Sequence, residues 1–361
     1  MQHPKRILVA PLDWGLGHTT RCLPLIHHLV EKGCDVYLAA EGASAAILKA
    51  YFPALPVLPL KGYGIQYSHK PGNFTFKLLA QVPKILRRIK EEHRWLQKQQ
   101  KRYHFDAVIS DNRYGLYTPD CPCVIMTHQV QIMSGKGAWA DRKLLQWHRR
   151  LLEQFEDCWV VDTETQGLSG RLAHPETKPK QSTYIGLLSQ FMLLPAIEKA
   201  EKHCLVLLSG PEPMRTQLEA LLWAQCVALP QYKFIFVAGK PGGTARETVP
   251  PHIHYHPYLG GVALHTSMAE AALVVCRSGY SSLMDLAFLQ KKAILIPTPG
   301  QTEQEYLAGH LHASGNYYSE PQATIELGKV LPLLWHQPYD VQGAADNMPA
   351  FREVIDRWLD R

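Results

Sequence analysis

The sequence predicts an α/β protein built from two doubly wound, Rossmann-like domains. Short apolar runs, typical of strands buried in parallel sheets, alternate with helical patterns from about residue 6 onward. The alternation pauses and begins again at about residue 203, and 361 residues suffice for two domains of ordinary size. Because alternating strands and helices form parallel sheets, each series is expected to build one domain.

The first series begins with a continuous apolar strand at 6–12, and a glycine turn at 15–17 follows it. A helical pattern at 19–32 ends at Gly33, a residue typical of helix ends. The other elements predicted in this half are a short helix at 43–51 and strands at 35–40, 106–110, 124–127 and 159–161.

The second series repeats the order of strand, small-residue turn and helix. It predicts strands at 203–209, 233–238, 273–276 and 293–297 and helices at 214–228, 281–289 and 303–313. Proline and polar residues between 175 and 200 are typical of a linker, so we expect domains at 1–180 and 181–361. A last amphipathic helix, about 348–361, could pack back on the first domain.

The composition excludes several classes of protein. Hydrophobic residues make up 46% of the chain and charged residues 19%, which excludes a disordered chain, a collagen and a coiled coil. Eight cysteines without a CxxC motif favour reduced thiols in a cytoplasmic protein. No apolar run is long enough to span a membrane, and no signal peptide pattern is present, so we expect a cytoplasmic location.

The net charge of +6 permits an anionic partner without selecting one, and we expect no nucleic acid partner. The most basic segment is 74–103, where nine Lys and Arg residues stand against two Glu and one helix face is apolar. Such a helix could touch the inner face of a membrane peripherally. A solvated outer helix of the domain explains the pattern at least as well.

The first candidate site is the glycine turn with its histidine, 14–21 (WGLGHTTR). It follows the first strand, at the sheet edge where open α/β proteins bind ligands. There Gly17 permits close backbone approach, and His18 at a helix N-terminus would be a neutral base. The alternative is a glycine turn with an incidental histidine, because the third glycine of a full dinucleotide motif is replaced by Thr20.

Three candidate sites follow strands of the second series. The segment 276–285 (CRSGYSSLMD) predicts an anion site at a helix N-terminus with a cation at Arg277, although an ordinary capped turn would look similar. The segment 297–306 is a rigid loop before a helix rich in Gln and Glu, and 209–211 is a weaker, similar turn. We interpret 252–256, with its alternating histidines, as a polar loop; no DxD motif occurs, and we expect neither a metal nor a cofactor.

At these features the sequence resembles the two-domain glycosyltransferases of the GT-B fold, in which two Rossmann-like domains face a central cleft. It is most similar to the MurG-like family with a glycosyltransferase family 28 C-terminal domain. CRSGYSSLMDL resembles the family's nucleotide-diphosphate turn, PTPGQTEQEYLA its donor-sugar loop and GLGHTTR its glycine loop. The resemblance spans most of the chain in the order and spacing of these features.

The resemblance implies His18 as the general base and assigns roles to a set of other residues. Donor sugar would be held by Gln304 and Glu305, where the family commonly has Gln-Gln, so the sugar need not be N-acetylglucosamine. The acceptor side would include Asp111, His128 and Gln129. The donor nucleotide and diphosphate would be bound by Gly17, Ser209, Gly210, Leu259, Arg277, Ser278, Gly279, Ser281, Ser282 and Asp285.

The implied function is transfer of a sugar from a nucleotide-diphosphate donor, most simply a UDP-sugar, to an acceptor hydroxyl. The resemblance further implies an inverting reaction without a metal, and the acceptor could be lipid-linked. GLGHTTR is also similar to the loop of PseG-like nucleotide-sugar hydrolases, in which the histidine would activate water instead. A nucleotide-sugar-binding protein without turnover is the third alternative.

Overall fold

The computed structural model describes residues 3–64, 81–133, 137–165, 167–197, 202–336 and 350–361. The described chain divides into two compact units, each with its own sheet. Unit 1 holds the residues up to Gln190 together with the last helix, and unit 2 holds those from Phe191 to residue 336. The predicted fold class, two α/β units with parallel sheets, is confirmed.

The sheet of unit 1 contains seven strands whose described pairings are all parallel. They are β1 (Arg6–Pro11), β2 (Asp35–Ala40), β3 (Val57–Pro59), β4 (Ala107–Asp111), β5 (Cys123–Thr127), β6 (Asp157–Val160) and β7 (Ser182–Tyr184). Their order is β3-β2-β1-β4-β5-β6-β7. The first six follow the doubly wound order, which changes direction between β1 and β4.

Helices cover this sheet because β1, β4 and β5 are apolar on both faces and buried along nearly their whole length. Besides the last helix, the described α-helices of unit 1 are α1 (Leu16–Glu31), α2 (Gly42–Tyr51), α3 (Val82–Tyr103) and α4 (Ala138–Leu152), with a 3-10 turn at Gly170–Leu172.

The sheet of unit 2 repeats the same topology with six strands. They are β8 (His203–Leu207), β9 (Phe234–Val237), β10 (Ile253–His256), β11 (Ala271–Cys276), β12 (Ala293–Leu295) and β13 (Tyr318–Ser319). Their order is β10-β9-β8-β11-β12-β13, so the change of direction lies between β8 and β11. The helices are α5 (Met214–Val227), α6 (Gly261–Ala269), α7 (Tyr280–Phe288), α8 (Thr302–Ala313) and α9 (Leu327–Trp335).

One prediction about this sheet is wrong: the segment predicted as a polar loop contains β10. Its register against β9 pairs Ile253 with Phe234 and His256 with Val237. Because β10 is an edge strand, its polar side chains can remain partly in solvent, and the sequence lacks the apolar run on which strand prediction relies.

The last helix, α10 (Ala350–Leu359), packs within unit 1. Trp358 meets Trp159 edge to face with ring centroids 5.3 Å apart. Asp356 accepts hydrogen bonds from His28 and Lys32 at 2.7 Å each, so this carboxylate ties α10 to the end of α1.

The basic helix α3 is anchored through its buried face. Glu92, 2% exposed, accepts hydrogen bonds from Arg113 and from the Tyr63 hydroxyl at 2.8 Å each. Most of its lysines and arginines lie on the opposite, solvent-facing side, while residues 74–80 of the predicted basic segment lie outside the described residues. No helix in the described part of the chain is both long and apolar enough to cross a membrane.

Candidate functional site

A cluster of polar side chains lies at the carboxyl edge of the unit 1 sheet, where its strand order changes direction. Pro11 and Asp111, the last residues of β1 and β4, are register partners. Gly15 precedes α1 with φ +90°, a conformation that favours glycine, and the helix starts at Leu16. His18 therefore lies in the first turn of α1, facing the end of β4.

Asp111 is the centre of this cluster. His18 Nδ1 lies 3.1 Å from one of its carboxylate oxygens, Oδ2. Arg21 donates from Nε to the same oxygen at 2.9 Å and from its terminal nitrogen Nη2 to Oδ1, so the guanidinium binds the carboxylate side-on. Arg21 also donates to His128 Nδ1 at 3.0 Å. The four residues thus form one continuous hydrogen-bonded chain.

These contacts define the hydrogen-bonding state of His18. An ionised carboxylate only accepts, so His18 Nδ1 carries the proton and Nε2 is left as a proton acceptor. Its side chain is 16% exposed, against 1% for Asp111. Burial lowers the pKa of His18 below its ordinary value of 6.5, Asp111 acts against this and Arg21 adds to it. The imidazole is therefore a neutral base that solutes can reach.

Burial alone would raise the pKa of Asp111, but the charges of Arg21 and His18 and their hydrogen bonds hold it below its ordinary value. The thiol of Cys22 lies 3.6 Å from Oδ2. We predicted Asp111 on the acceptor side. Both of its oxygens are bound by side chains of unit 1, so Asp111 orients its neighbours, and its place on the acceptor side stays a prediction.

His128 and Gln129 follow β5 at the same edge. His128 is 5% exposed, and its Nε2 lies 3.4 Å from the amide nitrogen of Gln129. The segment is supported from α4, where buried His148 donates from Nδ1 to the Val130 carbonyl at 3.1 Å and accepts from the Tyr114 hydroxyl at 2.9 Å. Sequence analysis missed this support.

Arg21 is the member of this cluster that was not predicted, although it lies within the glycine-turn motif. The signal was present, because residues three apart share one helix face and Arg21 stands three after His18. Its partner lies on β4, about 90 residues along the chain, and only the register of the sheet brings the two together.

The candidate site of unit 2 is made mainly of backbone. Helix α7 begins after Gly279, and no side chain caps its first turn. The N–H groups of a first turn have no partner within the helix, so Ser281 and Ser282 present them at the carboxyl edge of β11. A Cβ on Gly279 would approach nothing closer than the Gln304 amide nitrogen, at 3.9 Å. This is the local structure of an anion site.

Arg277 was predicted as a cation facing this turn, but its side chain is buried. Arg277 is 1% exposed, and its terminal nitrogens donate to the carbonyls of Ile296, Pro297 and Met214 at 2.9 to 3.2 Å and to Gln322 at 2.8 Å. Burial lowers its pKa to about 10. The guanidinium therefore joins the ends of several elements and is not an exposed cation at the turn.

Side chains predicted to bind the donor also hold the turn and the loop together. The hydroxyl of Ser278, fully buried, donates to the Gln304 carbonyl at 2.8 Å. Gln304 Oε1 accepts from the Thr298 N–H at 2.9 Å, which leaves its amide nitrogen on the side of Gly279. Exposed Glu305 accepts from the Gly300 N–H at 2.8 Å and closes the loop.

All but one of the remaining predicted residues lie at the carboxyl edges of their sheets; the exception, Asp285, lies more than one turn into α7. Gly17 is in the first turn of α1, exposed Ser209 and Gly210 follow β8, Leu259 follows β10, and Asp285 is a buried residue of α7. Among the described residues, no group of three or more His, Cys, Asp or Glu is placed to hold a metal ion.

Part of the chain is similar in sequence to known glycosyltransferases. Residues 245–334 match the model of the glycosyltransferase family 28 C-terminal domain. A stretch of 114 residues is 33% identical to the UDP-N-acetylglucosamine--N-acetylmuramyl-(pentapeptide) pyrophosphoryl-undecaprenol N-acetylglucosamine transferase of Methylobacterium sp. (strain 4-46), covering 31% of this chain and 28% of the relative. The chain thus matches less than a third of the length of that curated relative.

Solved structures match over nearly the whole chain. The glycotransferase of kitacinnamycin superposes with a TM-score of 0.71 at 16% identity, covering 99% of this chain and 100% of the other. MurG of Acinetobacter baumannii superposes with a TM-score of 0.61 at 17% identity over the same shares. Identities this low show the fold alone. The chain therefore has the GT-B fold of these glycosyltransferases, and its residues 245–334 match the glycosyltransferase family 28 C-terminal domain.

Proposed function

We propose that the protein transfers a sugar from a nucleotide-diphosphate donor to an acceptor hydroxyl. The observation that carries the proposal is the hydrogen bond of 3.1 Å between His18 and Asp111, which leaves the partly exposed Nε2 as a base at the ligand edge of unit 1. The family 28 domain in unit 2 supports a nucleotide sugar as the donor.

In the proposed reaction, His18 Nε2 takes the proton of the acceptor hydroxyl while that oxygen attacks the anomeric carbon. The bond from this carbon to the diphosphate oxygen breaks, and its electron pair leaves with the diphosphate. Attack from the face opposite the leaving group inverts the anomeric configuration. Asp111 keeps the Nδ1 proton in place and stabilises the imidazolium that forms.

The leaving diphosphate needs stabilisation as negative charge develops on it. The uncapped N-terminus of α7 supplies oriented N–H groups and the positive end of a helix dipole. This arrangement supports departure of the diphosphate without a metal. It also fits a binding role for the backbone at Gly279 and the hydroxyls of Ser281 and Ser282, with Asp285 toward the ribose and Gln304 toward the sugar.

The test is consumption of nucleotide sugars by the purified chain. UDP- and dTDP-activated glucose, galactose, N-acetylglucosamine and rhamnose are incubated with and without a panel of acceptor alcohols, with EDTA or Mg²⁺, and release of the nucleotide diphosphate is followed. We expect release that depends on the acceptor and persists in EDTA. Release in water alone would instead make the protein a hydrolase, and no release from any donor would contradict the proposal.

We also propose peripheral contact with an anionic membrane through the outer face of α3, which would bring a lipid-linked acceptor within reach. Leu86 and Val82 are 39% and 36% exposed among its basic residues. Co-sedimentation with vesicles containing phosphatidylglycerol tests this. Binding that is lost at high salt is expected, and equal recovery with neutral vesicles would contradict it.

A further inference from the structure

The geometry around Asp111 points to a role for Arg21 that goes beyond the proposed use of His18 as a base. We propose that Arg21 is the positioning residue of the site: it keeps His18 neutral, with its proton on Nδ1 and its acceptor nitrogen outward. The inference rests on and deepens the proposed function, but its deciding measurement, the titration of His18, needs no substrate.

Four donor groups from three residues surround the carboxylate of Asp111. Asp111 Oδ2 receives His18 Nδ1, Arg21 Nε and the thiol of Cys22, while Oδ1 receives the second arm of Arg21. A side-on guanidinium fixes the plane of a carboxylate, because its two N–H groups are parallel and rigid. The direction in which Oδ2 accepts from His18 is therefore defined by Arg21.

Arg21 also balances the charge of the buried carboxylate of Asp111. Asp111 and Arg21 are 1% and 3% exposed and together neutral, so a protonated His18 would add one uncompensated charge to a buried cluster. Without Arg21, the same histidine would face a lone buried carboxylate and would take up a proton more readily. A protonated His18 could not act as a base.

Two other titratable groups, Cys22 and His128, contact the same cluster. Cys22 lies on α1 with Arg21, and burial raises the pKa of its thiol, so it adds no charge. His128, from the segment after β5, accepts from Arg21 at Nδ1 and is therefore held in the form protonated at Nε2. Arg21 thus contacts both imidazoles, His18 through the carboxylate of Asp111 and His128 directly.

The experiment is histidine side-chain NMR of the full chain labelled with ¹⁵N-histidine, with His18 assigned by its loss in H18Q. In the native protein we expect His18 neutral at pH 7 and protonated on Nδ1. R21Q removes the charge, and we expect the pKa of His18 to rise so that its proton affinity grows at least about tenfold. R21K keeps the charge, so we expect the protonation of His18 to change little.

The readouts separate charge from geometry. Because one ammonium cannot bind both oxygens of Asp111, R21K is expected to lower kcat at an unchanged protonation state of His18. The matched control is R352Q, which removes an arginine charge on α10, 3.8 Å from Glu31 on α1, and should leave His18 unaffected. Melting temperatures are recorded for every variant.

If R21Q does not fold, the double variant R21Q/D111N is measured in its place. It removes both partners of the ion pair and therefore buries no unpaired charge. There we expect His18 to populate both neutral forms. The inference is overturned by a native His18 that is protonated at pH 7, by R21Q that leaves its titration unchanged, or by a double variant that retains only the Nδ1 proton. Because titration needs no donor sugar, a protein without transferase activity could still pass, so the two proposals fail separately.

Discussion

The candidate site of unit 1 is built from side chains, whereas that of unit 2 is built mainly from backbone. In unit 1, the ligand edge carries side chains that orient one another, with His18, Asp111 and Arg21 in contact. In unit 2, Arg277 and Ser278 bind the backbone of their own unit, and the N-terminus of α7 is the proposed binding group. The difference teaches that chemistry requires oriented side chains, whereas a diphosphate can be held by backbone.

The largest expected effect tests the side chains of unit 1. D111N keeps the volume of the carboxyl group but no longer fixes the proton on His18 Nδ1. We expect turnover to fall roughly 10²- to 10⁴-fold, the range of a positioned general base. The rate of nucleotide-diphosphate release measures it. Unchanged turnover in a folded D111N variant would remove Asp111 from the mechanism.

The second prediction concerns the support beneath that edge. Burial lowers the pKa of His148 to about 4, from 6.5 when unfolded. The unfolded state therefore binds more protons between these values, and stability falls as the pH drops from 6.5 toward 4, by up to about 3 kcal/mol. Denaturant unfolding of the native protein and H148Q at pH 7 and 5 measures this. A loss of equal size in both would contradict it.

The third prediction tests unit 2. We expect D285A to weaken nucleotide-diphosphate binding by about 1–3 kcal/mol, the range for a lost charge-assisted hydrogen bond. The matched control is D356A, which removes a carboxylate from α10 in unit 1 and should leave nucleotide affinity unchanged. Calorimetry with UDP and dTDP gives both numbers, and equal affinities for D285A and D356A would contradict the assignment.

The smallest expected effects compare two glycines of unit 2. G309A lies on α8, where a new Cβ meets nothing within 4 Å, so it should stabilise the protein by about 0.5–1 kcal/mol. Gly279 has ordinary dihedral angles, φ −72° and ψ 137°, so the variant G279A should fold as well as the native protein. Its new methyl group would, however, lie at the proposed diphosphate site. We expect only G279A to weaken nucleotide binding, and equal affinity in both variants would argue against the turn.

Much of the fold could be predicted because the buried strands are apolar and the turns after them contain glycine. β1, β8 and β11 were located within a few residues, and with them the two ligand edges. Two strands of unit 2 were missed because they lack an apolar run: β10 is polar and lies at a sheet edge, and β13 has only two residues. Their pairing depends on the neighbouring strand instead of on their own pattern.

The candidate site was predictable in position but only partly in its contacts. His18 was found because it follows a glycine turn, whereas the role of Arg21 depends on a carboxylate from β4. Arg277 was predicted to bind the donor diphosphate because it is a cation next to a helix N-terminus in the sequence. Its burial follows from carbonyls contributed by Ile296 and Met214, which no local pattern reveals.

The most direct test of the division between chemistry and binding is one variant measured twice. H18A is compared with the native protein for nucleotide-diphosphate affinity by calorimetry and for donor consumption by the rate of diphosphate release. We predict an affinity within about twofold of the native value and turnover lower by roughly 10²- to 10⁴-fold. Turnover that is unchanged, or that falls only in proportion to a loss of nucleotide affinity, would contradict the account.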